Sequence, residues 1–371
     1  MIVTVNMHPN STPQPPRGAP ENATARIQGL DLARALALLG MVIVNFELSM
    51  DASGSGPGWL GALTGSLQGR AAATFVVLAG VGASLGSARA RRGTDGRARW
   101  EARKTLLKRG LFLFLVGTAF LTVWPADILH FYGLWLGLGA GLLFAPTLWL
   151  LGVWLVLVGG SAAFLLRGDF FAHWDLTTLS YRDGSITGFL RSSFLDGFHP
   201  VLPWFALYVF GLWLGRLDLR SRELRRRFLV VALVACGVIL AAEALWAPEL
   251  WFSFRAPHLL MTSCLPPTPA FVLFGMAFAT CVISLACSVA ESWPRFASVW
   301  IPTGQMALTL YVAHVLLGLG LLEELGRLEH QSLPFAVGSS VTFYLCAMGF
   351  SWLWLRRFRR GPLEALMRKF S

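Results

Sequence analysis

Three stretches of this chain run without a single charge: Leu111 to Trp124, Gly133 to Leu166 and Phe271 to Val289. A helix of about 20 apolar residues is long enough to cross the hydrocarbon core of a bilayer. Stretches of this kind predict membrane spans. Of the 371 residues, 55% are hydrophobic and 14% charged, against roughly 25% charged in an ordinary soluble domain. A soluble fold has no interior large enough to hide that much apolar surface, so the expected class is all-α, a polytopic transmembrane helical bundle.

Apolar periodicity and turn signals predict about ten spans: Leu30 to Leu48, Leu67 to Ala88, Lys108 to Trp124, Ile128 to Phe144, Thr147 to Leu166, Pro200 to Gly215, Phe228 to Trp246, Thr268 to Ala290, Ile301 to Leu322 and Pro334 to Leu355. Residues 1–26 are polar and proline-rich and read as a disordered cytoplasmic tail. Residues 27–358 form the transmembrane domain and 359–371 a basic cytoplasmic tail. The net charge of +11 sits in short loops between spans, which argues against nucleic acid as a partner and for anionic membrane lipids.

Two loops hold most of the basic residues. One runs from Arg89 through Arg97 and Arg103 to Arg109, the other from Arg216 to Arg227. The positive-inside rule makes both cytoplasmic, and with ten spans the basic tail Arg356 to Lys369 falls on the same side as the N-terminus. The opposite face carries Glu47, Asp51, Asp169, Asp175, Asp183, Asp196, Glu249, Glu323, Glu324 and Glu329. Its longest loop, Arg167 to Phe198, has room for a small surface structure.

Polar groups inside spans are costly and usually face a cavity. On the first helix Arg34, Leu38, Met41 and Asn45 fall on one stripe, with Asp31 beside Arg34 at i, i+3. Arg34 and Asn45 are then about 16 Å apart at 1.5 Å rise per residue. A cation near the cytoplasmic end and an amide near the external end suit a path across the membrane, although an Asp31–Arg34 pair reaching to the inner headgroups is the plainer reading. On the fourth helix Asp127 and His130 are also three apart, so the carboxylate is able to orient the imidazole; Asp127 equally suits an N-cap, with Trp124 and Tyr132 in an interfacial aromatic belt.

Depth favours His130 as a general base, about one helical turn below the external surface. His199 lies at the very edge of its helix, and His314 lies deeper, sharing a face with Tyr311 while Gln305 and Thr309 point to the other side. His173, His258 and His330 sit in external loops. The five cysteines show no paired spacing for zinc or a disulfide, and no phosphate loop, metal-ligand set or nucleophile elbow appears. Gly80 to Gly86 reads as a site of close helix packing.

The segments Leu30-Asp31-Leu32-Ala33-Arg34 to Val44-Asn45-Phe46, Asp127-Ile128-Leu129-His130-Phe131-Tyr132-Gly133, Gly304-Gln305-Met306-Ala307-Leu308-Thr309-Leu310-Tyr311 and Gly361-Pro362-Leu363-Glu364 resemble the bacterial YeiB-type inner-membrane family. More distantly the chain is similar to heparan-alpha-glucosaminide N-acetyltransferase, with an Arg followed by Asn eleven positions later. In that enzyme a catalytic His lies in the loop after the Asn; here the loop Glu47 to Ser66 has none.

The resemblance implies a multi-pass protein of the bacterial cytoplasmic membrane. It also implies transfer of an acyl group, acetyl by analogy, from cytosolic acetyl-CoA to an external amine or hydroxyl on a glycan or lipid. The residues expected to act are His130, Asp127, His314 and His199 in catalysis, and Asp31, Arg34, Asn45, Arg70, Tyr132, Gln305 and Tyr311 in binding acyl-CoA or substrate. No metal is expected, and a homodimer is left open. The rival expectation is a transporter or flippase of small amphipathic molecules, with a non-catalytic membrane protein as a third.

Overall fold

The computed structural model describes residues 26–176, 180–250 and 257–371. The expected tail 1–26, apart from Arg26, lies outside the described residues. The chain folds as a helical bundle. Its elements are α1 (Gln28–Ser49), α2 (Gly58–Gly65), α3 (Arg70–Gly86), α4 (Ala88–Arg92), α5 (Gly96–Phe120), α6 (Leu129–Leu142) and α7 (Thr147–Arg167), followed by the hairpin β1 (Trp174–Asp175) and β2 (Ser180–Tyr181). Then come α8 (Ile186–Arg191), a π turn at Ser192–Asp196, α9 (Val201–Leu214), α10 (Arg222–Leu250), α11 (Pro269–Ser292), α12 (Pro294–Gln305), α13 (Ala307–Ala313), a second π turn at His314–Leu319, α14 (Gly320–Glu324), α15 (Leu333–Arg357) and α16 (Pro362–Phe370).

A helix stands at each of the ten expected places. Seven of the described helical segments are long and apolar enough to cross a membrane, or eight if the bent pair Ile186–Asp196 and Val201–Leu214 is one span. The two others are α5 and α6. The first half of α5 is crowded with Arg97, Arg99, Glu101, Arg103 and Lys104. α6 has 14 residues, about 21 Å of helix against a core of about 30 Å. The expected ninth span is not one straight helix: it breaks at Met306 between α12 and α13 and widens into the π turn at His314.

α1 is the central post, packed on α3, α11, α12 and α15, whereas α10 lies almost wholly on the outside and packs mainly on α11. Small residues let backbones meet around this post. A Cβ on Gly304 would strike the carbonyl of Asp31, and one on Gly80 the backbone of Tyr208 and Leu212 in α9. Close packing at Gly80, expected from the sequence, is therefore met by α9.

The two ends of the bundle differ. The basic end gathers α4, the start of α5, the α9–α10 connection and α16. Not every arginine there is a loose loop charge: Arg225 is buried, donates to the carbonyls of Leu219 and Arg220 and pairs with Glu291 at 2.6 Å. The hairpin end is capped by the segments 167–176 and 180–198, which close on buried Asp196. Its carboxylate accepts from Tyr181 Oη at 2.8 Å and Arg191 Nε at 2.6 Å, and its carbonyl from Trp174 Nε1 at 2.7 Å. Burial and the Asp196 bond push the Tyr181 hydroxyl above its ordinary range.

Candidate functional site

α1 places Arg34 toward the basic end and Asn45 toward the hairpin end, and three cavities follow the line between them. The first, about 650 Å³, opens among Arg34, Gly82, Ser87, Glu101, Arg109, Tyr132 and Met367. The second, about 250 Å³, is lined by Arg34, Met41, Phe75, Leu113, Ile128, Tyr132, Leu308, Tyr311 and Met367. The third, about 220 Å³, holds Asn45, Ser53, Gln68, Met41, Ile128, His199, Trp204 and Tyr311. Neighbouring cavities share walls: Arg34, Leu113, Tyr132 and Met367 divide the first pair, and Met41, Ile128 and Tyr311 the second.

At the first junction Asp31, almost fully buried, accepts from Arg34 Nη1 and from Arg26 Nε and Nη2. Sharing one carboxylate with Arg26 leaves the remaining donors of Arg34 directed at the cavities rather than consumed by Asp31. Beside it, the hydroxyl of Tyr132 is buried with no hydrogen-bond partner among the described residues. A buried unpaired hydroxyl is costly, and here it borders the junction of two cavities.

At the second junction a chain of bonds joins three helices. His130 Nδ1 and its backbone N–H both reach Asp127 Oδ2, at 3.1 and 3.0 Å. Tyr311 Oη lies 3.5 Å from Asp127 Oδ1 and accepts from the N–H of Ile128 at 3.3 Å. The carbonyl of Tyr311 takes the Nδ1–H of His314, and His314 Nε2 accepts from Asn45 Nδ2 at 2.8 Å. Because only an N–H can bond a carbonyl, this fixes the tautomer of His314 and turns its lone pair to Asn45. The π turn begins at His314; such local widening of a helix often accompanies functional sites.

The structure brings together Asp31 with Arg34, and Asp127, His130, Tyr311, His314 and Asn45, with Tyr132 between the two groups. The placement of His130 differs from the expectation. His130 does not face an external vestibule: it is buried, its ring against Phe131 and near Phe189, and it lines none of the three cavities. Phe131 and Phe189, the latter from the segment folded over the end of α6, enclose the imidazole. His199 stands just before the start of α9, as expected, and there it borders the third cavity with its ring on Trp204 and its Nδ1 buried without a partner among the described residues.

Arg70 stands at the hairpin end, away from Arg34, because α3 runs antiparallel to α1. It bonds the carbonyl of Gly65 and the hydroxyl of Thr262 and covers Phe274. Gln305 ends α12 where Gly304 packs on α1, and lines none of the three cavities.

Sequence reasoning missed several residues. Glu47, read as a loop acid, is a buried part of α1 that accepts from Ser53. Gln68, Glu101 and Arg109 enter as cavity walls. Glu364 and Met367 reach the site from α16; the Gly361-Pro362-Leu363-Glu364 motif was their only signal. Among the described residues no group of three or more His, Cys, Asp or Glu is arranged to hold a metal ion.

A membrane-type helical bundle with a line of neighbouring cavities, Arg34 at one end and Asn45 at the other, is the class that fold and site define. The family model described as heparan-alpha-glucosaminide N-acetyltransferase, catalytic, matches residues 26–234, more than half of the chain. The chain belongs to that family, a membrane acetyltransferase-like family. A second model, a protein of unknown function (DUF418), matches residues 213–371, in keeping with the YeiB-type resemblance. No curated protein matches the chain.

Proposed function

We propose that this chain transfers an acyl group, acetyl by family analogy, from acyl-CoA at the basic end to an amine or hydroxyl acceptor, on a glycan or lipid, at the hairpin end. The basic end is cytoplasmic and the membrane is the bacterial cytoplasmic membrane, a reading supported by the clustering of arginine on one side and by the YeiB-type resemblance. The observation that carries the proposal is the run of three cavities with shared walls from Arg34 to Asn45.

In this reading the donor's phosphates meet Arg109 and Arg34, whose guanidinium forks suit phosphate. The pantetheine arm occupies the second cavity, where the unpaired Tyr132 hydroxyl supplies a hydrogen bond to one of its amides. The thioester carbonyl arrives at the wall of Met41, Ile128 and Tyr311. The acceptor enters the third cavity and gives its proton to His199, the histidine of the three candidates that lines it. Its oxygen or nitrogen attacks the thioester carbon, and the tetrahedral oxyanion takes the second N–H of Asn45, the first being held by His314. Collapse expels the CoA thiolate, which recovers the proton from the imidazole.

His314 is then a positioning residue that orients the Asn45 amide, and Asp127 with His130 anchors Tyr311 at the junction. The test is to incubate membranes holding the protein with acetyl-labelled acetyl-CoA and to recover lipids and glycans. Covalent label that disappears in His199→Ala and Asn45→Ala supports the reading. Label carried across the membrane without a covalent product would replace it with transport.

A further inference from the structure

The Gly361-Pro362-Leu363-Glu364 motif has no part in the chemistry above, yet it holds the helix that floors the track. α16 spans the gap between α5 and α13. Met367 enters the walls of both the first and second cavities, Phe370 packs on Phe112 of α5 with ring centroids 5.9 Å apart, and Arg109 Nε donates to Ser371 Oγ at 3.4 Å. On the α13 side one carboxylate makes the attachment. Glu364 Oε1 accepts from the N–H groups of Leu308 at 2.8 Å and Thr309 at 3.1 Å, Oε2 accepts from Thr309 Oγ1, and that oxygen accepts from Leu363 N at 3.1 Å.

The first N–H groups of a helix have no partner inside it, so the break at Met306 creates the need that Glu364 fills. Apart from this point the attachment is light: no residue of α16 is buried. The helix hangs from α15 on the connection Phe358 to Gly361. A segment with few buried contacts and one concentrated bond cluster opens locally at low cost.

We propose that α16 is a releasable strap across the basic-end mouth of the track, with Glu364 as its latch and Met367 as its contribution to the wall between the first cavity and the second. Swinging α16 away removes a wall common to both cavities and lets a long donor arm pass Arg34 and Tyr132. This inference concerns access alone and stands whether or not acyl transfer is the activity.

The test uses full-length protein in detergent, with its native cysteines replaced by alanine and Phe75→Cys introduced in the second cavity. Labelling by a bulky polar maleimide reads the opening. Replacing the charged acceptor of the two main-chain N–H groups by a neutral amide oxygen weakens these bonds, which is expected to raise the labelling rate roughly tenfold in Glu364→Gln, and less in Thr309→Val. Hydrogen–deuterium exchange should rise at residues 362–370 and stay unchanged in α1 and α3. Unchanged labelling in both variants while α16 exchanges faster would overturn the strap, because the helix would loosen without opening the cavity. Faster exchange throughout the bundle would overturn the latch and make Glu364 a general support of the fold.

Discussion

Asn45 Nδ2 lies 2.8 Å from His314 Nε2, a bond across 269 residues of chain. It ties the central helix α1 to the π turn after α13, and it leaves the second amide hydrogen of Asn45 for the third cavity. The same imidazole holds the Tyr311 carbonyl, so one side chain fixes both the amide and the wall between two cavities.

Three histidines therefore give three distinguishable phenotypes. His199→Ala should lower transfer by about 10²- to 10⁴-fold, as for loss of a positioned base, with acyl-CoA binding unchanged. His314→Ala should lower kcat and cost about 1–3 kcal/mol of stability, because it removes a fully buried side chain and leaves the half-buried Asn45 amide without its partner, and His314→Gln should restore part of both. His130→Ala should act through Asp127 and Tyr311 and cost less activity than either. Label transfer and thermal unfolding in detergent separate the three; normal turnover in His199→Ala would move the base elsewhere.

Arg34→Ala should weaken acyl-CoA binding, measured by equilibrium dialysis, and Arg34→Lys should recover only part because the guanidinium fork is lost. Asp31→Asn should be the more damaging to the fold. It strips the partner from two arginines around a buried carboxylate, a loss of about 3–5 kcal/mol for a broken buried pair. Arg26 is largely exposed, which moves the value toward the lower end.

Gly304→Ala is predicted to destabilise the bundle by about 1–3 kcal/mol, the usual cost of overpacking. The added Cβ meets backbone, the carbonyl of Asp31, which has no rotamer by which to retreat. Gly338→Ala, which meets nothing within 4 Å, is the control. Equal melting temperatures for the two variants would show that α1 and α12 are free to separate.

A cysteine at Asp183, in the capping segment, should react with an impermeant thiol reagent applied to intact cells, and one at Arg97 should react only after the cells are opened. Labelling in the reverse order would invert the cytoplasmic assignment of the basic end and with it the direction of transfer.

Features set within one element were legible in the sequence. Uncharged runs predict helices of membrane length, and the i, i+3 spacing puts Asp31 beside Arg34 and Asp127 beside His130, where the fold has them. Small residues at Gly80 foretell a close neighbour but not that it is α9. The motif ending in Glu364 is visible as a motif, yet nothing in it points to the N–H groups of Leu308 and Thr309. Tertiary structure alone decided that Asn45 meets His314, that His199 lines a cavity while His130 is enclosed, and that α16 floors the track. Helical periodicity fixes which residues share a face, whereas the rotation and offset of one helix against another come from packing. In this chain a break at Met306 and a π turn at His314 shift that register again, so no straight-helix projection carries past them.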